Sequence, residues 1–276
     1  MFKDLSRENC EEKKAVSRDV IQQGSYYFEL LSSFGLTKHM GGLEATKELV
    51  GLCRIDKNSC VSEVGCGVGI TSCYLAKEVG CKVVALDISS EMLRRAMERI
   101  RRKGVMDRVE PVAADAQELP FMDNSFDAVI CESVLAFIRD KHKAVNEFKR
   151  VLKPGGYVGF NEVTWIEDPP RELVEYLSTA LGGARFLAPE EWRSLLEESG
   201  FSNIIVRIYR TSAWRQWLSE VKEIDIRDFA SAWGRFLLLL FKSREVRQYV
   251  KKVSRPPKAV FRLFKYFGYG LYVGRK

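Results

Sequence analysis

The chain has 276 residues, 46% hydrophobic and 29% charged, with a net charge of +7. That apolar content sustains a packed core and excludes a chain disordered throughout. Seven cysteines, odd in number and without a CxxC pair, argue against a disulfide framework or a cysteine zinc site, and no uncharged apolar run reaches the roughly 18 residues of a membrane span.

Residues 4–35 carry Tyr26, Tyr27, Phe28, Leu30, Leu31 and Phe34 at helical spacing. The pair Gly41-Gly42 breaks this pattern, and Leu43 to Cys53 resumes it as a helix. No secretory leader is recognised ahead of these segments. An apolar run then ends in Val61-Ser62-Glu63-Val64-Gly65-Cys66-Gly67-Val68-Gly69, a strand closing on an acid and entering a glycine turn. Glycines there allow a tight turn against a ligand, and the helix predicted from Ile70 presents its amino end to that ligand. A dinucleotide fingerprint needs its third glycine where Ile70 stands, so the spacing disfavours it.

Further strands are predicted at Lys82–Asp87, Val109–Ala113 and Phe126–Glu132, and helices and strands are expected to alternate as far as Val163. Ser89 or Ser90 caps a helix that runs to Arg102, with Glu91 in its first turn. Asp87 offers two acceptor oxygens, as a ribose diol requires, and Asp115 suits an adenine amino group. Leu152-Lys153-Pro154-Gly155-Gly156 reads as a turn into a fifth strand, Tyr157–Val163. Pro189 opens a helix to Gly200, Asn203–Arg210 reads as a sixth strand, and residues 212–254 are mostly helical. Gly268–Gly274 then returns as a seventh strand beside the sixth.

Charge is unevenly placed. Residues 201–276 hold 17 Lys and Arg against 5 Asp and Glu, a balance of +12, leaving −5 for the first 200 residues. Trp214, Trp217, Trp233 and several Phe are interleaved with these cations. The mixture fits an anionic lipid surface, a nucleic-acid backbone, or a helical cap with solvated charges.

The pattern E-x-G-x-G-x-G at Glu63–Gly69, the acids closing four strands, and the Leu152–Gly156 turn resemble the class I S-adenosylmethionine-dependent methyltransferases over residues 40–165. The amino-terminal half is most similar to the sterol, tocopherol and phosphoethanolamine methyltransferase branch, and the segment Gly41–Leu49 resembles its phosphoethanolamine members particularly. The resemblance implies an α/β fold: a doubly wound, seven-stranded, mostly parallel sheet with amino-terminal lid helices and a helical insertion near the carboxyl terminus. It divides the chain into a lid (1–42), a cofactor-binding core (43–165), and the remaining sheet with a basic acceptor cap (166–276). It implies S-adenosylmethionine held by Glu63, Gly65, Cys66, Gly67, Gly69, Asp87, Ile88, Asp115, Ala116 and Glu132, with no metal.

The reaction expected is displacement at a methyl carbon on a sulfonium, so the protein mainly aligns the acceptor and excludes water. Proton removal, where the acceptor needs it, falls to His39, Tyr27 or Glu132. Each also has a plain structural reading, as a loop histidine, a core aromatic or a cofactor ligand. No histidine follows Glu132 where the phosphoethanolamine enzymes pair one with a tyrosine, which leaves a small-molecule or lipid-like acceptor. Two alternatives stay open. A nucleic-acid enzyme would use the basic segment, although Cys131-Glu132-Ser133-Val134 stands where an Asn/Asp-Pro-Pro-aromatic motif would hold a flipped base. A non-catalytic binding module would keep the cofactor acids alone. The chain is expected to be cytoplasmic, with peripheral contact to an anionic membrane as a further partner; its oligomeric state is not legible.

Overall fold

A computed structural model describes residues 39–210, 241 and 243–276. The chain divides into two compact units. One comprises residues 35–168, 186–225 and 263–276, the other 1–34, 169–185 and 226–262. The predicted helix over 4–35, Tyr27, and most of the 212–254 segment lie outside the described residues.

The larger unit is built on seven strands: β1 (Cys60–Val64), β2 (Lys82–Asp87), β3 (Val109–Ala113), β4 (Phe126–Glu132), β5 (Leu152–Trp165), β6 (Ser202–Tyr209) and β7 (Phe267–Arg275). Their spatial order is β3-β2-β1-β4-β5-β7-β6. Strands β1 to β5 run parallel, and β7 is antiparallel to both neighbours. The strand order reverses between β1 and β4, so their carboxyl ends flank the crevice where open α/β sheets take ligands.

The helices are α1 (Gly42–Leu52), α2 (Ile70–Tyr74, continued by a wider turn over Leu75–Val79), α3 (Ser90–Lys103), α4 (Lys141–Val151), α5 (Arg171–Ala180), α6 (Pro189–Glu198), α7 (Arg244–Val253) and α8 (Leu263–Tyr266). Successive strand residues alternate faces. Ala128 and Ile130 therefore join the core beneath α1, α2 and α3, with Leu49, Leu75 and Ile100. Val129 and Cys131 join the opposite core beneath α4 and α6, with Phe148 and Trp192. Phe148 and Trp192 are both fully buried, and truncating either to alanine is expected to cost about 3–5 kcal/mol.

Two sequence expectations need correction. Strand and helix do not alternate throughout: residues 114–125, between β3 and β4, contain no helix. Pro120 and the turn at Asn124, at φ 60°, interrupt any helical run there. Arg150 instead pins the segment through the carbonyls of Leu119 and Phe121, at 2.9 and 2.7 Å. Second, β5 begins at Leu152 rather than Tyr157, with a register shift against β4 that absorbs the glycine turn. The expected pairing of β7 with β6 is present, and β7 lies between β6 and β5.

In the smaller unit, α5 and α7 are joined by two tyrosine hydroxyls. Tyr176 donates to the Val253 carbonyl at 2.6 Å and Tyr249 to the Ala180 carbonyl at 2.5 Å.

Candidate active site

The glycine turn after β1 is tied to the end of β2. The N–H groups of Gly65 and Cys66 both donate to the Leu86 carbonyl, at 2.7 and 2.8 Å. Gly67 donates its N–H to Asp87 Oδ2 at 2.9 Å, and Ser89 donates to Oδ1 at 2.8 Å. A carboxylate accepts about four hydrogen bonds, so lone pairs remain for a diol. Burial raises the Asp87 pKa, partly opposed by the backbone donors at Ser89 and Gly67.

Two glycines are required by space as well as by conformation. Gly65 has φ 75°, and a Cβ there would lie 2.2 Å from Val134 Cγ2. Gly69, also at φ 75°, caps α2, and a Cβ would meet the Ala96 backbone at 3.3 Å. Only glycine takes this left-handed conformation without strain.

The remaining cofactor candidates fall into two groups. Ile88, 76% exposed beside Asp87, offers an uncovered apolar surface of the kind an adenine ring would cover. Asp115 is exposed at the end of β3 and accepts the Gln117 N–H at 2.8 Å, with Ala116 buried next to it. Glu63 and Cys66 face inward instead. Glu63 is 5% exposed and accepts the Ser72 hydroxyl; burial pushes its pKa up to about 8. Cys66 is buried, and desolvation drives its thiol well above the usual range.

Glu132, at the end of β4, lies at the centre of a polar cluster. Thr46 of α1 donates to its Oε1 at 3.1 Å, Thr71 of α2 donates to Oε2 at 3.0 Å, and Asn161 of β5 donates to Oε1 at 3.3 Å. His39 joins through Thr46, its Nε2 lying 3.2 Å from the hydroxyl. Its Nδ1 lies 3.0 Å from Asn161 Nδ2 and 3.6 Å from Glu132 Oε1. Asn161 Nδ2 also donates to the Met40 carbonyl at 3.0 Å, which fixes the orientation of the amide. Nδ1 of His39 lies 3.4 Å from the Met40 carbonyl as well, and the Thr46 hydroxyl stands between His39 Nε2 and Glu132.

The residues fit an adenosine-type cofactor: a glycine turn that a Cβ would fill, a carboxylate with spare lone pairs, and an exposed apolar neighbour. Of the predicted catalytic trio, His39 and Glu132 come together, while Tyr27 lies outside the described residues. Thr46, Thr71 and Asn161 went unnoticed in the sequence. The available signal was Asn161-Glu162, a polar pair in the middle of an apolar strand. Among the described residues no group of three His, Cys, Asp or Glu is placed to hold a metal ion, and no helix is long and apolar enough to cross a membrane.

The chain is similar to known proteins in sequence and in fold. A family described as "Methyltransferase domain" matches residues 62–160. The ubiquinone/menaquinone biosynthesis C-methyltransferase UbiE of Haemophilus ducreyi is 30% identical over 238 residues, covering 77% of this chain and 88% of that protein. Phosphoethanolamine N-methyltransferase 1 of Arabidopsis thaliana is 32% identical over 186 residues, 67% of this chain but only 36% of that longer protein. Among solved structures, the [4+2]-cyclase SpnF aligns with a TM-score of 0.71 and 21% identity, over 93% of this chain and 94% of that one. That last likeness concerns the fold alone.

Proposed function

The chain belongs to the class I S-adenosylmethionine-dependent methyltransferases, and from that premise we propose that it methylates a small or lipid-like acceptor by in-line transfer. Bound S-adenosylmethionine supplies an electrophilic methyl carbon. Within residues 43–165, the Gly65–Gly69 turn lets the backbone approach the cofactor, Asp87 accepts from the ribose, Ile88 and Ala116 flank the adenine, and Asp115 accepts from its amino group.

The observation that carries the acceptor reading is the Thr46 hydroxyl, which touches both His39 and Glu132. A proton leaving a hydroxyl, ammonium or activated carbon acceptor passes to this linked pair. Glu132 also matches a cationic acceptor by charge. The relatives are consistent with such acceptors, being named for quinone and phosphoethanolamine methylation.

Transfer of a labelled methyl group into fractionated metabolites, lipids and RNA tests this reading. Label in a metabolite or lipid fraction, lost in Asp87→Ala, supports it. Label confined to RNA would replace it with the nucleic-acid alternative, and no label in any fraction despite cofactor binding would favour a binding module.

A second reading concerns location. α7 buries Val246 and Tyr249 and exposes Arg244, Arg247, Lys251 and Lys252, followed by exposed Arg255. Phe241 and Phe261, each 83% exposed, belong to the same unit. Cations with exposed aromatics match an anionic lipid surface, and we assign this face to peripheral membrane contact.

A further inference from the structure

We propose that Glu162 is a positioning residue: by holding the turn after β4 from behind the sheet, it aims Glu132 into its polar cluster and seats Val134 against Gly65. Glu162 follows Asn161 on β5, so the two side chains leave the sheet on opposite faces. Asn161 reaches the Glu132 cluster, whereas Glu162 enters the core containing Phe160 and Tyr272, and is fully buried. Its Oε1 accepts the backbone N–H groups of Val134 and Leu135, at 2.9 and 2.8 Å. Its Oε2 is buried without a hydrogen-bond partner.

A carboxyl group in an apolar core is costly, and an apolar residue of similar size is usually no worse for folding. The turn it grips explains the need. Ser133, between Glu132 and Val134, has φ 57°, a conformation disfavoured for any residue with a side chain. Such a residue persists only where its surroundings over-determine it. Three bonds do so: the Ser133 N–H donates to the Asn161 carbonyl at 2.7 Å, and the next two N–H groups donate to Glu162. Were the turn to relax, Val134 would leave Gly65, and Glu132 would move away from Thr46, Thr71 and Asn161. One strand dipeptide thus builds the site from both faces, Asn161 by touching it and Glu162 by fixing the loop that carries it.

The last link, to acceptor chemistry, rests on the proposed role of Glu132; the link to cofactor binding does not. The test therefore uses no acceptor. Amide hydrogen exchange at Val134 and Leu135, and calorimetric titration with S-adenosylhomocysteine, are measured on Glu162→Gln and Glu162→Asp. Glutamine keeps an acceptor oxygen at the same reach without the charge, while aspartate keeps the charge but falls one methylene short. Glu162→Gln is expected to retain both protection and affinity within about threefold, and Glu162→Asp to lose about tenfold in each, as two misplaced hydrogen bonds would. Protection elsewhere in β4 and β5 should stay unchanged in both variants. Equal behaviour of the two variants, whether both intact or both impaired, overturns the proposal, as does loss in the glutamine variant alone. Failure of the acceptor reading would appear only in the transfer assay.

Discussion

The Gly67 N–H donates to Asp87 Oδ2 at 2.9 Å, so the glycine turn and the predicted ribose-binding carboxylate form one connected unit. Asp87 thus braces the turn, and the proposed function gives it a second duty toward the ribose. Asp87→Ala should weaken S-adenosylmethionine binding by about 1.5–3 kcal/mol, the range for charged hydrogen bonds. Asp87→Asn should lose less, because its carbonyl oxygen can still accept the Gly67 N–H. Calorimetric titration checks both, and unchanged affinity in the alanine variant would remove Asp87 from the site.

Gly65 and Val134 should behave as a coupled pair. Gly65→Ala places a methyl group where Val134 Cγ2 already lies, at φ 75°. Conformation alone costs about 1–2 kcal/mol, and the clash adds to it. Val134→Gly in the Gly65→Ala background should recover part of the loss by removing the clash while leaving the strain. Thermal unfolding with and without S-adenosylhomocysteine separates the two contributions. A double variant no better than Gly65→Ala would rule out this contact as the cause.

Two buried acids set a pH dependence of stability. Burial raises Glu63 to about 8 and Glu162 to about 7, from an ordinary glutamate value of 4.5. With a folded pKa above the unfolded one, each group's contribution is fully present below about pH 4.5. It is lost as pH rises through the folded value. Urea midpoints should therefore decline from pH 5 to beyond 8 through these two groups. Glu63→Gln, which keeps an acceptor for Ser72, should flatten the upper part of that decline. A slope unaltered by the substitution would show that Glu63 is not responsible.

Thr46→Val preserves shape and removes the hydroxyl shared by His39 and Glu132. Turnover is expected to fall about 10²-fold, the lower end for a disrupted acid–base group. Cofactor affinity should change far less, because none of the ribose and adenine residues is touched. Single-turnover transfer compared with calorimetry distinguishes the two effects. Equal losses in both would make the cluster part of cofactor binding and not of acceptor chemistry.

The basic face of α7 can be probed by vesicle co-sedimentation. Binding to anionic vesicles, absent with neutral ones and lost at high salt, is expected for the intact chain. Lys251→Glu with Lys252→Glu should abolish it, since each cation near such a surface contributes about 1 kcal/mol. Retained binding in that double variant would exclude α7 as the contact.

The sequence by itself determined the positions of strands β1 to β4 along the chain, the glycine turn and the acids at or near the strand ends. These features are local: apolar runs with period two, glycines at positive φ and a serine cap are written in consecutive residues. Asp87 and Glu132 could be placed because each ends its own strand, and Asp115 because it follows β3 by two residues. The absence of a helix between β3 and β4 was less legible, since Arg150 pins that segment from α4, far along the chain. Only the tertiary structure decided that β7 inserts between β5 and β6, because pairing partners are chosen by burial across the whole sheet. It alone joined His39, Thr46, Thr71 and Asn161 around Glu132, drawing on α1, α2, β4 and β5. A polar residue inside an apolar strand announces a need for a partner, but its partner depends on which helix covers that face. For Asn161 and Glu162, adjacent in sequence and facing opposite ways, the alternation of the strand separated two duties that the dipeptide alone could not reveal.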